Sequence, residues 1–105
     1  MASTSTYSKT VLIVSSGTES ESINCDDDTL IGFFTPAAID AGTMTIQASD
    51  DGTNWFSISM DAITLAASTY FPIDPVLTLG ARYVRLKQSG AAAAQRSFKC
   101  RVRYV

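Results

Sequence analysis

The chain has 105 residues, 46% of them hydrophobic, and a formal net charge of −2. That length can bury one core without a metal or disulfide, and the hydrophobic share excludes intrinsic disorder. The sequence contains no histidine, which removes the commonest general base, most zinc sites and every Ser-His-Asp arrangement.

Residues 1–8 are rich in Ser and Thr and carry one aromatic, Tyr7, so they read as a flexible arm that could order against a neighbour. Residues 9–105 then form one β domain. The apolar run Val11-Leu12-Ile13-Val14 is too short for a signal-peptide core, and no basic segment precedes it. The product is therefore expected to be made in a cytoplasm. No stretch reaches transmembrane length. Residues 9–14 are the first strand candidate and residues 19–23 a weak edge strand. Residues 29–35, TLIGFFT, fit a buried strand in which Gly32 marks a bulge or a close approach. One helical turn could occupy residues 36–42.

The clearest local signal is TMTIQASDDGTNWFSISM, residues 43–60. Met44, Ile46 and Ala48 alternate with Thr43, Thr45 and Gln47, and after a polar turn Phe56, Ile58 and Met60 alternate with Trp55, Ser57 and Ser59. That is the period of half-buried strands. The Asp-Gly pair between them supplies a turn, giving a hairpin whose inner face is Phe56, Ile58 and Met60. Residues 61–68 stay ambiguous, and Pro72 and Pro75 favour an extended connector. Two regular strands follow: residues 82–87, and residues 97–105 with Phe98, Cys100, Val102 and Tyr104 on one face. Between them residues 89–95 read as a protruding apolar loop. About seven or eight strands without an amphipathic helix indicate an all-β antiparallel sandwich of jelly-roll type, with a closed barrel as the rival.

Charge is segregated along the chain. All ten acids lie from Glu19 to Asp74, and seven of the eight bases from Arg82 onward, Lys9 being the exception. Either distant strands carry complementary charges, or the molecule has an acidic and a basic end suited to docking. If the last two strands are neighbours, Arg82, Arg85, Lys87, Lys99, Arg101 and Arg103 form one basic face around Tyr83. A single aromatic and a pI of 4.8 weigh against a dedicated nucleic-acid binder. Asp26-Asp27-Asp28 and Asp50-Asp51 match no EF-hand spacing and read as solvated turns, with calcium binding through their carboxylate and carbonyl oxygens as the alternative. Cys25 and Cys100 read as two separate thiols, Cys100 in the core. No set of nucleophile, base and orienting group is present, so the chain is expected to be neither an enzyme nor a holder of a cofactor or metal.

Two resemblances follow from the motifs. The stretch Ile46-Gln47-Ala48-Ser49-Asp50-Asp51-Gly52-Thr53-Asn54-Trp55, with Ala81-Arg82-Tyr83-Val84-Arg85-Leu86, resembles discoidin-like (F5/8 type C) jelly rolls, which often bind carbohydrate or lipid head groups. More broadly, Gly32-Phe33, Thr35-Pro36-Ala37-Ala38, the hairpin, Ile73-Asp74-Pro75, the 81–86 strand, Ser89-Gly90 and the Ala/Gln loop look like small tailed-phage proteins encoded among head genes. Residues 1–28 lie outside that match. It implies a virion structural role, most concretely a capsid decoration (cement) protein on the capsid surface. Such a protein contacts the major capsid protein and copies of itself, often as a trimer, and no catalytic or cofactor residues transfer with the likeness. Candidate contact residues are Tyr7 in the arm, Trp55, the face of Tyr83, Arg85, Lys87, Lys99, Arg101 and Arg103, and the loop residues Ala92 and Ala93. The alternative is a carbohydrate-binding module of a phage tail or host-recognition structure, using Trp55.

Overall fold

A computed structural model describes residues 6–104. Nine strands follow one another: β1 (Thr6–Ile13), β2 (Ile23–Asn24), β3 (Asp28–Phe34), β4 (Thr43–Ser49), β5 (Phe56–Ser57), β6 (Ile63–Thr64), β7 (Tyr70–Pro72), β8 (Tyr83–Gln88) and β9 (Arg96–Tyr104). Three of them, β2, β5 and β6, are only two residues long. They pair as a four-stranded sheet in the order β1-β9-β3-β7 and a five-stranded sheet in the order β2-β8-β4-β5, with β6 also on β4. Every pairing is antiparallel. The first strand pairs the last, β2 pairs β8, β3 pairs β7 and β4 pairs β5. That nesting is a rolled-up hairpin, the jelly roll, and its two sheets keep open edges, so the fold is a sandwich.

Alternation along the long strands builds the core. Val11 and Ile13, Leu30 and Phe33, and Phe98, Cys100 and Val102 project from one sheet onto Met44, Ile46, Val84 and Leu86 of the other, and all are buried. Phe33 meets Phe71 with ring centroids 5.3 Å apart and Phe98 edge-on at 6.3 Å, geometries that favour aromatic pairs. Register shifts between Leu30 and Gly32, so a bulge at Ile31 resets the alternation. Phe33 therefore faces the core and Phe34 faces out.

Several boundaries move relative to the sequence reading. Tyr7 and Ser8, read as part of an arm, pair with Val102 and Arg101 inside β1. Residues 1–5 of that arm, and Val105 at the end of the last strand, lie outside the described residues. Phe56 is 71% exposed rather than on the hairpin's inner face. It stands opposite Ala48 on a two-residue strand at the sandwich margin, while Ile58 and Met60 do reach the core. The stretch 36–42 holds bends and no helical turn, and the connector after β7 closes in a 3-10 turn, Pro75–Leu77, capped by the Asp74 side chain.

The loop 89–95 is exposed except at Ala92, which ties it down. Ala92 is 3% exposed. Its N–H donates to Gly17 O at 2.9 Å and its carbonyl accepts from Ser16 N at 2.7 Å. The next residue, Ala93, donates its N–H to Asp40 Oδ1 at 3.1 Å. Backbone groups crossing a sandwich end need partners, and here the alanine loop finds them in the β1–β2 turn and in Asp40.

Candidate functional site

The candidate basic residues and Tyr83 fall on two opposite faces, with Trp55 beside Arg85, while Tyr7 bonds Asp28 near the start of β1 and Ala92 and Ala93 lie in the loop at a sandwich end. In a jelly roll β8 and β9 follow one another in sequence yet belong to different sheets, so the single basic face expected from sequence does not exist. Tyr83, Arg85 and Lys87 line the outer face of the five-stranded sheet, whereas Lys99, Arg101 and Arg103 line that of the four-stranded sheet.

On the five-stranded side the cations are engaged. Arg85 places its guanidinium 4.3 Å from the Trp55 ring centroid and donates Nε–H to Gln47 Oε1 at 2.7 Å. Lys87 Nζ meets Glu19 Oε2 at 3.0 Å, and that contact with the Thr18 hydroxyl lowers the Glu19 pKa, the hydroxyl having the larger share. Arg82 lies 5.3 Å from the Tyr83 ring and 3.6 Å from Asp26. Trp55 is thus half-buried with one ring face under a guanidinium.

The four-stranded side differs. Register sets Thr10, Lys99, Phe34 and Tyr70 in one row, Ser8, Arg101, Gly32 and Pro72 in the next, and Thr6, Arg103 and Thr29 in a third. Phe34 and Tyr70 are 42% and 40% exposed, with ring centroids 4.6 Å apart. Arg101 donates to Ser8 Oγ at 2.8 Å. Neither Lys99 nor Arg101 has a carboxylate partner among the described residues. Lys99 lines a shallow recess with Thr10, Phe34, Thr35, Pro36 and Ser97. The aromatic ridge was not singled out from sequence. Its signal was the glycine: once a bulge is placed just before Gly32, the second Phe of TLIGFF must turn outward.

Six of the ten acids, Asp26, Asp27, Asp28, Asp50, Asp51 and Asp74, lie toward one end of the sandwich, whereas Glu19 pairs with Lys87 and Asp40 with Arg96 elsewhere. Cys25 N bonds Arg82 O at 2.7 Å, bringing Asp26 to Arg82. Asp50 and Arg82 line a recess of about 260 Å³ together with Ala48, Ser49, Phe56, Gly80 and Ala81. Asp74 caps the 3-10 turn whose Pro75 carbonyl accepts from Thr29 Oγ1 at 2.8 Å. Asp51 is engaged within its own turn: it accepts from the N–H groups of Thr53 and Asn54 and from the Asn54 side chain, bonds that hold its carboxyl well below the usual carboxylate range. Asp28, read from sequence as part of a solvated turn, is 6% exposed. It takes the Tyr7 hydroxyl and lies 3.6 Å from Lys9 Nζ.

Among the described residues no group of three or more His, Cys, Asp or Glu side chains could hold a metal ion. Cys25 and Cys100 are buried free thiols. Burial pushes the first up to about 11 and the second to about 12, so neither is a thiolate near neutrality. Among the described residues no helix is long and apolar enough to cross a membrane.

No family model matches the chain, and no curated protein is similar to it. A solved structure is similar over 99% of this chain and 91% of its own, at 16% identity and a TM-score of 0.48; its description reads "Bacillus endospore appendages form a novel family of disulfide-linked pili". A likeness that distant says nothing of this chain's partners. What stands is an all-β protein built as an antiparallel sandwich of two sheets.

Proposed function

We propose that this chain is a structural protein of a tailed-phage particle, a capsid decoration protein that works by covering the boundaries between shell subunits. The motif likeness in residues 32–105 motivates the phage assignment. The observation that carries a contact role is the pairing of Lys99 and Arg101, both without carboxylate partners among the described residues, with the exposed Phe34–Tyr70 ridge on one sheet face. Exposed aromatics beside an arginine are residue types enriched at interface centres. A decoration protein needs no turnover, and its effect is mass action: binding the assembled shell and not its separated subunits stabilises the shell.

The reading through carbohydrate has less behind it, because the Trp55 ring already carries Arg85 on one face. The decisive experiment mixes the protein with emptied tailed-phage heads that lack decoration. Co-sedimentation with a raised shell melting temperature is the expected result. Heads that neither bind nor gain stability, together with glycan-array binding lost in Trp55→Ala, would overturn the proposal in favour of a sugar-binding module.

A further inference from the structure

The molecule carries two surfaces that complement one another and cannot meet within one chain. One is the outer face of the four-stranded sheet, with Lys99, Arg101, Phe34 and Tyr70. The other is the acidic end, where Asp26, Asp27, Asp50 and Asp74 are all exposed and where Phe56, Val76 and Leu79 are 71%, 71% and 59% exposed. Arg82, bound to Asp26, offsets only part of that charge. Each surface thus combines one sign of charge with bare apolar area. The acidic end also has an open recess walled by Phe56, Gly80 and Ala81, whereas the sheet face has a raised pair of rings.

We infer that the occupant of the sheet face is a second copy of this chain, presented by its acidic end. The Phe34–Tyr70 ridge of one copy seats against the recess beside Phe56 of the next, and Lys99 and Arg101 face Asp50, Asp26 and Asp27. The two patches differ, so the contact is head-to-side. Repeated, it closes a ring or propagates a chain, according to the rotation between copies. Strands of 8, 9, 7 and 3 residues, about 4.8 Å apart and rising about 3.3 Å per residue, cover roughly 430 Å². Specific interfaces take about 800 Å² per partner. The contact is therefore weak in dilute solution and becomes significant only where copies are concentrated. It stands whether or not a phage shell is the partner, since it needs only the chain itself.

Sedimentation velocity of the full chain tests it. At low salt the weight-average sedimentation coefficient should rise with concentration. Raising ionic strength from about 0.1 M to about 1 M, which shortens the Debye length from about 10 Å to about 3 Å, should weaken association at least tenfold. K99E/R101E on the sheet face and D26K/D50K at the acidic end should each stay monomeric, and mixing the two should restore association, because the reversed charges complement one another at both contacts. Phe34→Ser, on an exposed side chain, should weaken the wild-type association with all charges intact. A wild type that stays monomeric at low salt at every concentration overturns the inference. So does a mixture of the charge variants that fails to associate while both retain wild-type circular dichroism and melting. Capture of a single-stranded oligonucleotide or anionic vesicles by the wild type without self-association, lost in K99E/R101E, overturns it in favour of a different partner.

Discussion

The phenol of Tyr70 occupies the space above Gly32 where a side chain would stand: a Cβ there would lie 2.0 Å from Tyr70 Oη and 2.3 Å from its Cζ. The hydroxyl donates to Ile31 O at 3.2 Å, so the ring is latched over the bulge of β3 and held against Phe34. Gly32→Ala should push the ring off its latch and cost about 1 kcal/mol. That is the low end for overpacking, because an exposed ring can swing away. In a Tyr70→Ala background the same change should cost clearly less, since the obstacle is gone. Urea unfolding of the four proteins gives the coupling. Equal costs in both backgrounds would remove the latch.

Asp40 acts as the tie between three segments. Its carboxylate accepts from Arg96 Nε and Nη2 at 3.1 Å each, from Gln88 Nε2 at 3.2 Å and from Ala93 N at 3.1 Å. The Arg96 bond first, then the Ala93 N–H, hold its pKa well below the usual carboxylate range. A depressed folded-state pKa stabilises above the unfolded value, about 3.9, and that contribution drains as pH falls below it. Asp40→Asn should therefore lower the melting temperature at pH 7, with the gap to wild type narrowing progressively in acid. The alanine loop should lose hydrogen-exchange protection first, because the Ala93 N–H then bonds a neutral amide oxygen in place of a carboxylate. A gap constant from neutral to acid pH would show that the charge is idle.

Local alternation made much of this fold legible. The face of Phe98, Cys100 and Val102, the face of Met44 and Ile46, and the special status of Gly32 all follow from periods and side-chain size. What escaped is non-local. Consecutive strands usually neighbour one another, and that expectation put Arg85 and Lys87 beside Lys99 and Arg101. The jelly-roll crossover separates them onto opposite faces. The same distance in sequence hides the acceptors of the alanine loop, since Gly17 and Asp40 lie far from Ala92 and Ala93. Of the two readings of the charge segregation, complementary pairing is visible in Lys87 with Glu19, Arg82 with Asp26 and Arg96 with Asp40. Each pair ties the basic third of the chain to its acidic middle.

Trp55 is the chain's single tryptophan, which makes its contact with Arg85 directly readable. A guanidinium 4.3 Å from the ring centroid at a half-buried site contributes about 0.5–1 kcal/mol. Arg85→Ala should cost about that much and move tryptophan emission to the red as water replaces the cation. Arg85→Lys keeps the charge but loses the planar stack and the Gln47 bond, so it should recover only part of the shift. Emission identical in all three proteins would mean that the ring and guanidinium do not stack in solution.

Tyr7 and Asp28 close the acidic end of β1 against β3. The hydroxyl donates to Asp28 Oδ2, and that bond, with burial second, pushes the Tyr7 pKa up to about 12. The folded protein thus favours neutral tyrosine. Its contribution is fully present below the unfolded value of about 10 and is lost as pH rises through about 12. Tyr7→Phe leaves a nearly buried carboxylate short of a donor and should cost about 1–3 kcal/mol at neutral pH. The variant should also unfold less steeply with alkali than the wild type. The difference between the two stability curves isolates the tyrosine from Lys9, which remains in both. Parallel curves from pH 9 to pH 12 would place the hydroxyl outside this bond, and with it the claim that β1 is pinned as far as Tyr7.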